Sequence, residues 1–434
     1  MKSEIDFIQR VEKRIGLSLR YFFQNGFWVV LGQGVSMLSG LLLSVLFARY
    51  ASKELYGQYQ YVLSVIGIFS IFSLNGLNLS VMKAVIGGHE ASLIRAVRYS
   101  FFMSLFASPL LLGIALYHYM HGSTEIGAAM LVAACVFPLI YSTNTWTAFY
   151  EAKRQFSKVA FRVMALQLSV PMAILAILFS VQRLPFLVAA YGITTAAVHF
   201  IFYVQARKTV SGRSDAMDVS LGIKATVQKF SQTINAALPL LVIPWLYSFK
   251  EAAVFSIAFF LANFMGSITS TVTSIYIPRF LEAGFLSHVY VKKLFFYALL
   301  LGLCITVIFW IGIRLFFIAL YGEEYSDSLR ILFLIMPIFI FYPLRALTGH
   351  YLTAFNQNIQ LIGIHIISQA AGLAALFILH SRYSYSAVLA SYYLAMMGTL
   401  IALYVIRFLH LNRHSNQSIP IQDSSTAPLR LPRE

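Results

Sequence analysis

Twelve stretches of about 20 predominantly apolar residues follow one another along this chain, separated by short polar connections. A helix of that length crosses the roughly 30 Å hydrocarbon core of a bilayer, where only helices and closed barrels satisfy their backbone hydrogen bonds. Of the 434 residues, 59% are hydrophobic and only 11% are charged, which is too few charges to cover soluble domains. The sequence therefore predicts an all-α integral membrane protein with about 12 transmembrane helices.

Lysine and arginine are distributed unevenly over the connections. With the N-terminus placed inside, the inner connections hold most of the 32 Lys and Arg residues, the outer connections hold a few, and Arg345 remains within a span. Because an excess of Lys and Arg marks cytoplasmic connections, this distribution predicts an even number of spans and cytoplasmic termini. The net charge of +16 is then largely a topology signal dispersed along the membrane, which excludes a nucleic-acid role.

The longest inner connection divides the chain into two halves of six spans. Two short repeats support related halves, because Thr147–Phe149 recurs as Thr353–Phe355 and Lys53–Glu54 recurs as Lys250–Glu251 at equivalent places. These repeats predict two six-helix lobes with pseudo-two-fold symmetry. The predicted domains are an amphipathic cytoplasmic segment (1–26), an N-lobe (27–205), a cytoplasmic linker (206–225), a C-lobe (226–407) and a disordered cytoplasmic tail (408–434).

Prolines predict breaks in two spans. Pro239 and Pro244 fall in the seventh span, and Pro337 and Pro343 fall in the tenth. Proline removes a helix hydrogen bond and leaves backbone groups that a neighbouring helix or a water-filled cavity must satisfy. We expect both spans to be interrupted there, either as static kinks or as moving parts of a binding site.

The ionisable residues inside the spans are few and basic. Arg345 lies well inside the tenth span, where a charge is costly enough to indicate function, and a guanidinium can bind a phosphate through two hydrogen bonds. The alternative is an arginine that extends to the interface or binds carbonyl groups freed by Pro343. Arg49, Lys83 and Arg279 end spans, and each is either a further cationic site residue or an interfacial anchor.

Two histidines and several amides complete the candidate residues. His365 and His350 are the groups that could couple transport to protons, since an unperturbed imidazole titrates near pH 6.5, and the alternative is a packing role. Amide side chains in spans suit sugar hydroxyls and equally suit hydrogen bonds between helices. The polar candidates for a cavity wall are Asn75, Asn144, Asn235, Asn263 and Gln33.

Several stretches carry a likeness to a known family. They are Leu46–Ala51, Tyr56–Tyr59, Asn75–Asn78, Leu320–Tyr325 and Tyr351–Asn356. In these stretches, in span number and in loop length, the whole chain resembles polysaccharide flippases of the Wzx type. Their superfamily also holds the lipid II flippase and the multidrug and toxin extrusion antiporters. One departure is Ala253–Phe255, where the family has a small residue followed by tyrosine.

The resemblance implies two lobes that alternate between inward and outward openings. The substrate would be an O-antigen or similar oligosaccharide on undecaprenyl pyrophosphate, moved across the bacterial inner membrane. Its partners would be that lipid-linked glycan, membrane lipids, and the polymerase and chain-length regulator of the same pathway, with no cofactor. A diphosphate and a sugar require a cationic cavity with polar and aromatic walls. Arg345, with Arg49, Lys83 and Arg279, would form the cationic path.

Two other classes stay open as alternatives. A cation-coupled multidrug antiporter would be expected to hold a carboxylate in its core, and all 16 Asp and Glu residues fall outside the span centres. A multi-span O-antigen polymerase or ligase would need a large extramembrane loop, and no outer connection is long enough. No nucleophile, phosphate-loop or metal-ligand motif occurs, and Cys135 and Cys304 are expected to be small buried residues. We therefore expect a transporter without a metal or disulfide framework rather than an enzyme.

Overall fold

The fold is given by a computed structural model, which describes residues 19–212, 214–276, 280, 286–355 and 357–417. Over these residues the secondary structure is helical, and they contain no strand. The helices assemble into two lobes of six spans each. The predicted all-α fold with two six-helix lobes is confirmed.

The N-lobe contains the first six spans, three of which are built from two consecutive helices. The helices are Leu19–Tyr50 in the first span, Lys53–Phe69 and Leu77–Ile86 in the second, Ser92–Ser104 and Ala107–Met120 in the third, Thr124–Ser142 and Trp146–Ala152 in the fourth, Phe156–Ser180 in the fifth and Leu184–Lys208 in the sixth.

The C-lobe contains the other six spans. The helices are Val219–Leu246 in the seventh span, Phe249–Thr273 in the eighth, His288–Tyr321 in the ninth, Ser326–Ile335 and Tyr342–Ala354 in the tenth, Asn358–Leu379 in the eleventh and Tyr385–Gln417 in the twelfth. The sixth and seventh spans both extend into the predicted linker, so the connection between the lobes is residues 209–218.

Eleven segments of the described chain are helices long and apolar enough to cross a membrane. The seventh span, a helix of 28 residues, is not among them. It packs against the second and eleventh spans, and it exposes Ile223 and Val227 on one side. The other side carries a polar stripe at helical spacing, which lowers the mean hydropathy of the span. The residues of this stripe are Gln228, Lys229, Gln232 and Asn235.

The packing between helices repeats from one lobe to the other. In the N-lobe the first span packs on the fifth, and the fourth span packs on the third and the sixth. In the C-lobe the seventh span packs on the eleventh, and the tenth span packs on the ninth and the twelfth. Each of these N-lobe contacts thus has a counterpart in the C-lobe, between spans whose numbers are higher by six. The predicted relation between the lobes is confirmed.

The repeated Lys-Glu pairs lie at the same place in both lobes. Ser52 and Ser248 are the N-caps of the second and eighth spans, and each hydroxyl accepts a backbone N–H at 3.1 Å. Glu54 and Glu251 lie in the first turns, where the helix dipole favours negative charge. This repeat therefore encodes a helix start in both lobes.

A change of backbone direction divides the second span. Its first helix, Lys53–Phe69, runs into a 3-10 turn that ends at Leu74, which has a left-handed backbone with φ of 50°. The second helix then begins at Leu77. The break between them exposes backbone groups of Asn75 and Gly76 to the neighbouring seventh span.

The prolines have different effects in the two spans that contain them. In the tenth span a 3-10 segment, Met336–Phe341, begins beside Pro337 and ends shortly before Pro343, as predicted. The predicted interruption of the seventh span is wrong, since helix Val219–Leu246 continues through both of its prolines. A proline removes one hydrogen bond from a helix but does not end it where neighbouring helices hold the chain in place.

The two cysteines correct a further expectation. Cys135 and Cys304 are free, and both side chains are exposed rather than buried. Apolar residues of a membrane protein need not face its interior, because lipid tails are as apolar as the protein core.

The lobes approach each other closely along the second span. A β-carbon at Gly57 would lie 1.8 Å from the carbonyl oxygen of Phe249, and one at Gly76 would lie 2.2 Å from the backbone nitrogen of Thr226. Only glycine allows backbones to approach so closely. Gly57 lies near the predicted outer end of the span and Gly76 near the inner end. The second span therefore contacts the C-lobe backbone at both ends.

Candidate functional site

Arg345 lies inside the C-lobe, one turn beyond the break in the tenth span. Its guanidinium carbon lies 5.5 Å from the centre of the Tyr342 ring, and its Nη2 would lie 3.4 Å from a β-carbon at Gly266 of the eighth span. Its Nε is buried without a hydrogen-bond partner, and none of the carboxylates that the structure describes forms an ion pair with it. An unsatisfied charged donor is costly, so this group has unused capacity to bind an anion.

His365 of the eleventh span is hydrogen-bonded at both ring nitrogens. Its Nδ1 lies 2.7 Å from Asn235 Nδ2, and its Nε2 lies 3.1 Å from the Tyr404 hydroxyl. With the amide nitrogen facing the ring, Nδ1 accepts a hydrogen bond and Nε2 carries the proton. Arg345 is close enough to act electrostatically on both His365 and Tyr404. The seventh, tenth, eleventh and twelfth spans thus meet at one polar cluster.

The polar stripe of the seventh span also contacts the N-lobe. Lys229 Nζ donates to the backbone carbonyl oxygen of Asn75 at 3.3 Å, at the break in the second span. Asn144 Nδ2 donates to Asn75 Oδ1 at 3.3 Å, and Lys229 and Glu151 interact electrostatically. Two predicted polar residues, Asn75 and Asn144, therefore lie together beside a cation of the opposite lobe.

Asn263 and Gln33 are both exposed. On the eighth span Asn263 lies three residues after Phe260, which contacts Gly40 of the first span, and three residues before Gly266, beside Arg345. At helical spacing this places Asn263 on the face between the two lobes. Gln33 lies toward the predicted inner end of the first span.

Arg49 lies apart from this cluster, at the predicted outer end. Its Nε donates to the carbonyl oxygen of Leu320 at 2.8 Å and its Nη2 to that of Ile318 at 3.2 Å, at the C-terminus of the ninth span. Nearby, Lys53 Nζ donates to the carbonyl oxygen of Glu324. Arg49 thus joins the first span of the N-lobe to the ninth span of the C-lobe.

The remaining candidates lie in three different places. Lys83 is exposed on the short helix at the predicted inner end of the second span. His350 Nε2 lies 3.2 Å from the carbonyl oxygen of Ser270, and Arg345 acts on this histidine electrostatically. Arg279 lies outside the described residues. The structure therefore brings Arg345, His365, His350 and Asn235 into one region and leaves Lys83 elsewhere.

Acidic residues are peripheral throughout the part of the chain that the structure describes. Each described carboxylate lies near a helix end or in a connection. Glu151 lies in the last turn of the fourth span, and Asp327 lies in the first turn of the tenth span, where it accepts a hydrogen bond from Tyr385. The described centre of the molecule therefore carries cationic and neutral polar groups.

Two residues of this region were not among the sequence candidates. In the sequence, Lys229 was assigned to the cations of the predicted inner connections, and Tyr404 was one of many aromatic residues. The stripe of four polar residues in the seventh span was the signal that could have identified Lys229. No sequence signal distinguished Tyr404, because its role depends on the position of His365.

Two six-helix lobes surrounding a cationic, polar centre are the architecture of a multi-pass membrane transporter. The chain matches the polysaccharide biosynthesis protein family over residues 22–290, which is more than half of its length. The chain belongs to this family. No curated protein matches it.

Solved structures of multidrug resistance transporters share the fold. An inward-facing MATE family transporter of the MOP superfamily is 13% identical, with a TM-score of 0.66, over 89% of this chain and 98% of that one. An outward-facing one is 10% identical, with a TM-score of 0.61, over 92% and 96% of the two chains. The MATE multidrug transporter DinF-BH is 12% identical, with a TM-score of 0.63, over 91% and 96%. At this identity the likeness establishes the fold.

Proposed function

We propose that this protein is a flippase that moves undecaprenyl-pyrophosphate-linked oligosaccharide units, of the O-antigen or a similar surface glycan, across the bacterial inner membrane. The observation that carries the proposal is the Arg345 guanidinium, which lies within the C-lobe and has a buried Nε without a partner. A guanidinium group binds the oxygen atoms of a diphosphate through two parallel hydrogen bonds. Family membership connects the chain to polysaccharide synthesis.

The environment of Arg345 supports an anionic and sugar-bearing ligand. The ring of Tyr342, the amide of Asn235 and the hydroxyl of Tyr404 lie in the same cluster. These groups suit sugar hydroxyls, and the second cation, Lys229, lies farther along the same seventh span toward the predicted inner end. A diphosphate would be attracted to both cations.

Transport by this proposal proceeds through alternating access. Arg49 and Gly57 contact the C-lobe at the predicted outer end, while Gly76 contacts it at the inner end. Opening one end at a time requires the outer and inner contacts to break alternately. The proposal assigns coupling to protons to His365 or His350. The distribution of Lys and Arg predicts that both termini lie in the cytoplasm.

A multidrug antiporter is the second candidate, favoured by the fold shared with MATE transporters. A cationic drug would need a negative or aromatic site inside the spans. The aromatic residues are present, whereas the described carboxylates lie near helix ends or in connections. The charge of the centre therefore supports the flippase.

The experiment is complementation of a deletion strain with Arg345→Ala and Arg345→Lys. We expect the Ala variant to lose glycan export, the Lys variant to keep part of it, and lipid-linked units to accumulate on the cytoplasmic side. Arg314→Ala is the matched control, because Arg314 is exposed on the ninth span beside Trp310. Full export by Arg345→Ala would remove Arg345 from the mechanism. Accumulation of single units on the outer side in the deletion strain would indicate a polymerase instead.

A further inference from the structure

A polar cavity lies within the N-lobe, apart from the polar cluster at Arg345. It has a volume of about 380 Å³ and is enclosed by the first, second, fourth, fifth and sixth spans, with Phe260 of the eighth span at one side. Its size is at the lower end of the range typical of small-molecule sites. The polar groups in its wall include those of Gln60, Tyr141, Asn144, Gln167, Thr195 and His199, so the predicted cavity residue Asn144 lies in this wall.

The wall of this cavity is uncharged. It contains no Asp, Glu, Lys or Arg, and its one imidazole is held in a neutral form. Trp146 Nε1 lies 3.1 Å from His199 Nδ1, and an indole nitrogen can only donate. His199 Nδ1 must therefore accept, which leaves the proton on Nε2 as a hydrogen-bond donor. Protonation of Nδ1 would break the bond to Trp146, so His199 serves as a fixed neutral group.

One residue of the cavity wall, Thr195, has a hydroxyl without a hydrogen-bond partner. Its side chain is 7% exposed, it lies in the cavity wall, and its Oγ1 is buried without a hydrogen-bond partner. Other helical threonines of this chain, such as Thr226 and Thr306, donate to the carbonyl oxygen four residues earlier at 2.8 and 2.7 Å. A buried hydroxyl without a partner is unfavourable, so Thr195 Oγ1 has the capacity for a bond to a ligand.

We propose that the N-lobe cavity binds an uncharged sugar residue of the glycan while Arg345 binds the diphosphate. This inference rests on the proposed flippase function. Hydroxyl, amide and imidazole N–H groups between aromatic rings match the hydroxyl-rich edges and apolar faces of a sugar ring. The neutral wall of the cavity does not attract a diphosphate or a cation by charge.

The position of Phe260 links this cavity to the contact between the lobes. A β-carbon at Gly40, in the cavity wall, would lie 3.2 Å from Phe260 Cε2. One side of the cavity is therefore formed by a C-lobe side chain that lies close against the first span. Separation of the lobes removes this side, so binding of the sugar depends on how the lobes are arranged.

The test uses the full-length protein in lipid nanodiscs and two probes. One probe is undecaprenyl pyrophosphate, and the other is the undecaprenyl-pyrophosphate-linked glycan extracted from the organism that encodes this chain. Equilibrium binding of both probes is measured for the wild type, Thr195→Val and Arg345→Ala. Thr306→Val is the matched control, since Thr306 is also 7% exposed and lies outside the cavity. Valine preserves the shape of threonine and removes its hydroxyl.

We expect the wild type to bind the glycan-bearing probe more tightly than the bare carrier. Thr195→Val should lower this preference about five-fold, the value of one hydrogen bond, and leave affinity for the bare carrier unchanged. Arg345→Ala should weaken both probes equally. Two results would overturn the inference, provided that the bare carrier still binds through Arg345. The first is a wild type that binds both probes equally well, and the second is a Thr195→Val variant that keeps the full preference for the glycan-bearing probe. If neither probe binds, the flippase proposal fails as well.

Discussion

Arg49 Nε donates a hydrogen bond of 2.8 Å to the carbonyl oxygen of Leu320, which joins the end of the first span to the end of the ninth. The last carbonyl groups of a helix lack partners within the helix and carry partial negative charge. A cation of one lobe therefore caps a helix of the other. At this position Arg49 holds the two helix ends together at the predicted outer end, and its guanidinium is occupied by backbone carbonyl groups.

Replacement of Arg49 by alanine should favour opening of the outer end. The effect should be about two- to five-fold in the open population, since a cation at an exposed helix terminus contributes about 0.3–1 kcal/mol. The measurement is labelling of Ser44→Cys by an impermeant thiol reagent added from outside, with Cys135 and Cys304 replaced by serine. Ser44 is 5% exposed and lies 2.8 Å from the Tyr321 hydroxyl. Equal labelling with and without Arg49→Ala would contradict this role.

The two close glycine contacts should bias the protein in opposite directions. In Gly57→Ala the new β-carbon would overlap the Phe249 carbonyl, so the outer contact must open. In Gly76→Ala it would overlap the backbone at Thr226, so the inner contact must open. We expect increased labelling of the outer reporter Ser44→Cys in the first variant.

The inner reporter for the second variant is Ser80→Cys. Ser80 is 1% exposed and its hydroxyl donates to the Asp218 carbonyl oxygen at 2.6 Å. Gly113→Ala is the control, because nothing lies within 4 Å of its β-carbon position. Size-exclusion chromatography monitors folding. If both reporters respond alike to both glycine variants, the contacts do not separate the outer and inner openings.

Gly266 leaves room for the Arg345 guanidinium and should be sensitive to added volume. A β-carbon there would already lie 3.4 Å from Nη2, so Gly266→Val should displace the guanidinium and reduce glycan export about tenfold, as one lost charged hydrogen bond does. Gly363→Val is the control, since this C-lobe helix position has nothing within 4 Å of its β-carbon. If Gly266→Val leaves glycan export unchanged, the position of the Arg345 guanidinium beside Gly266 is not the one that matters for transport.

Two acidic residues hold the connection between the lobes to the N-lobe. Glu90 lies 2.7 Å from Lys153 Nζ and accepts the Ser211 N–H at 2.7 Å. Partial burial favours protonation, but these hydrogen bonds and the charge of Lys153 outweigh it and lower the pKa of Glu90. The pKa of Asp215 is lowered in the same way. Burial favours its protonated form, but the hydrogen bonds that it accepts and the charge of Arg95 outweigh burial. Both carboxylates are thus stabilised in their charged form by folding.

This attachment should be lost in acid. Because both folded pKa values are lowered, the stabilisation is complete above the ordinary values of 4.5 for Glu90 and 3.8 for Asp215, and it disappears as the pH falls through the folded values. Amide hydrogen exchange at Ser211 should therefore accelerate in acid relative to an unstructured reference peptide. Glu90→Gln should produce the same loss of protection at neutral pH. Glu324→Gln, at the opposite end of the molecule, should not.

The number, length and type of the spans could be predicted because they depend on local composition. A run of apolar residues long enough to cross a bilayer becomes a helix wherever it packs. The repeated serine N-caps at Ser52 and Ser248 similarly depend on a few neighbouring residues. Local rules failed for the prolines of the seventh span, whose helix continues because packing against other spans holds it.

The candidate site was predictable only in part. A single cation in a long apolar span identified Arg345, since its cost there does not depend on which helix lies beside it. Arg49 was predicted as a cation of the path, but its observed partners are carbonyl groups about 270 residues later. The neutral state of His199 was also not visible, because it depends on Trp146 in another span.

The sequence by itself determined that this chain crosses a membrane many times in two related halves and that its span centres contain no acid. These properties follow from transfer of side chains into lipid, which acts on each residue separately. The tertiary structure decided which polar side chains share a cavity and which cations are already occupied by backbone carbonyls. Those outcomes depend on which faces of helices from different lobes meet, and packing geometry fixes them only in the assembled molecule.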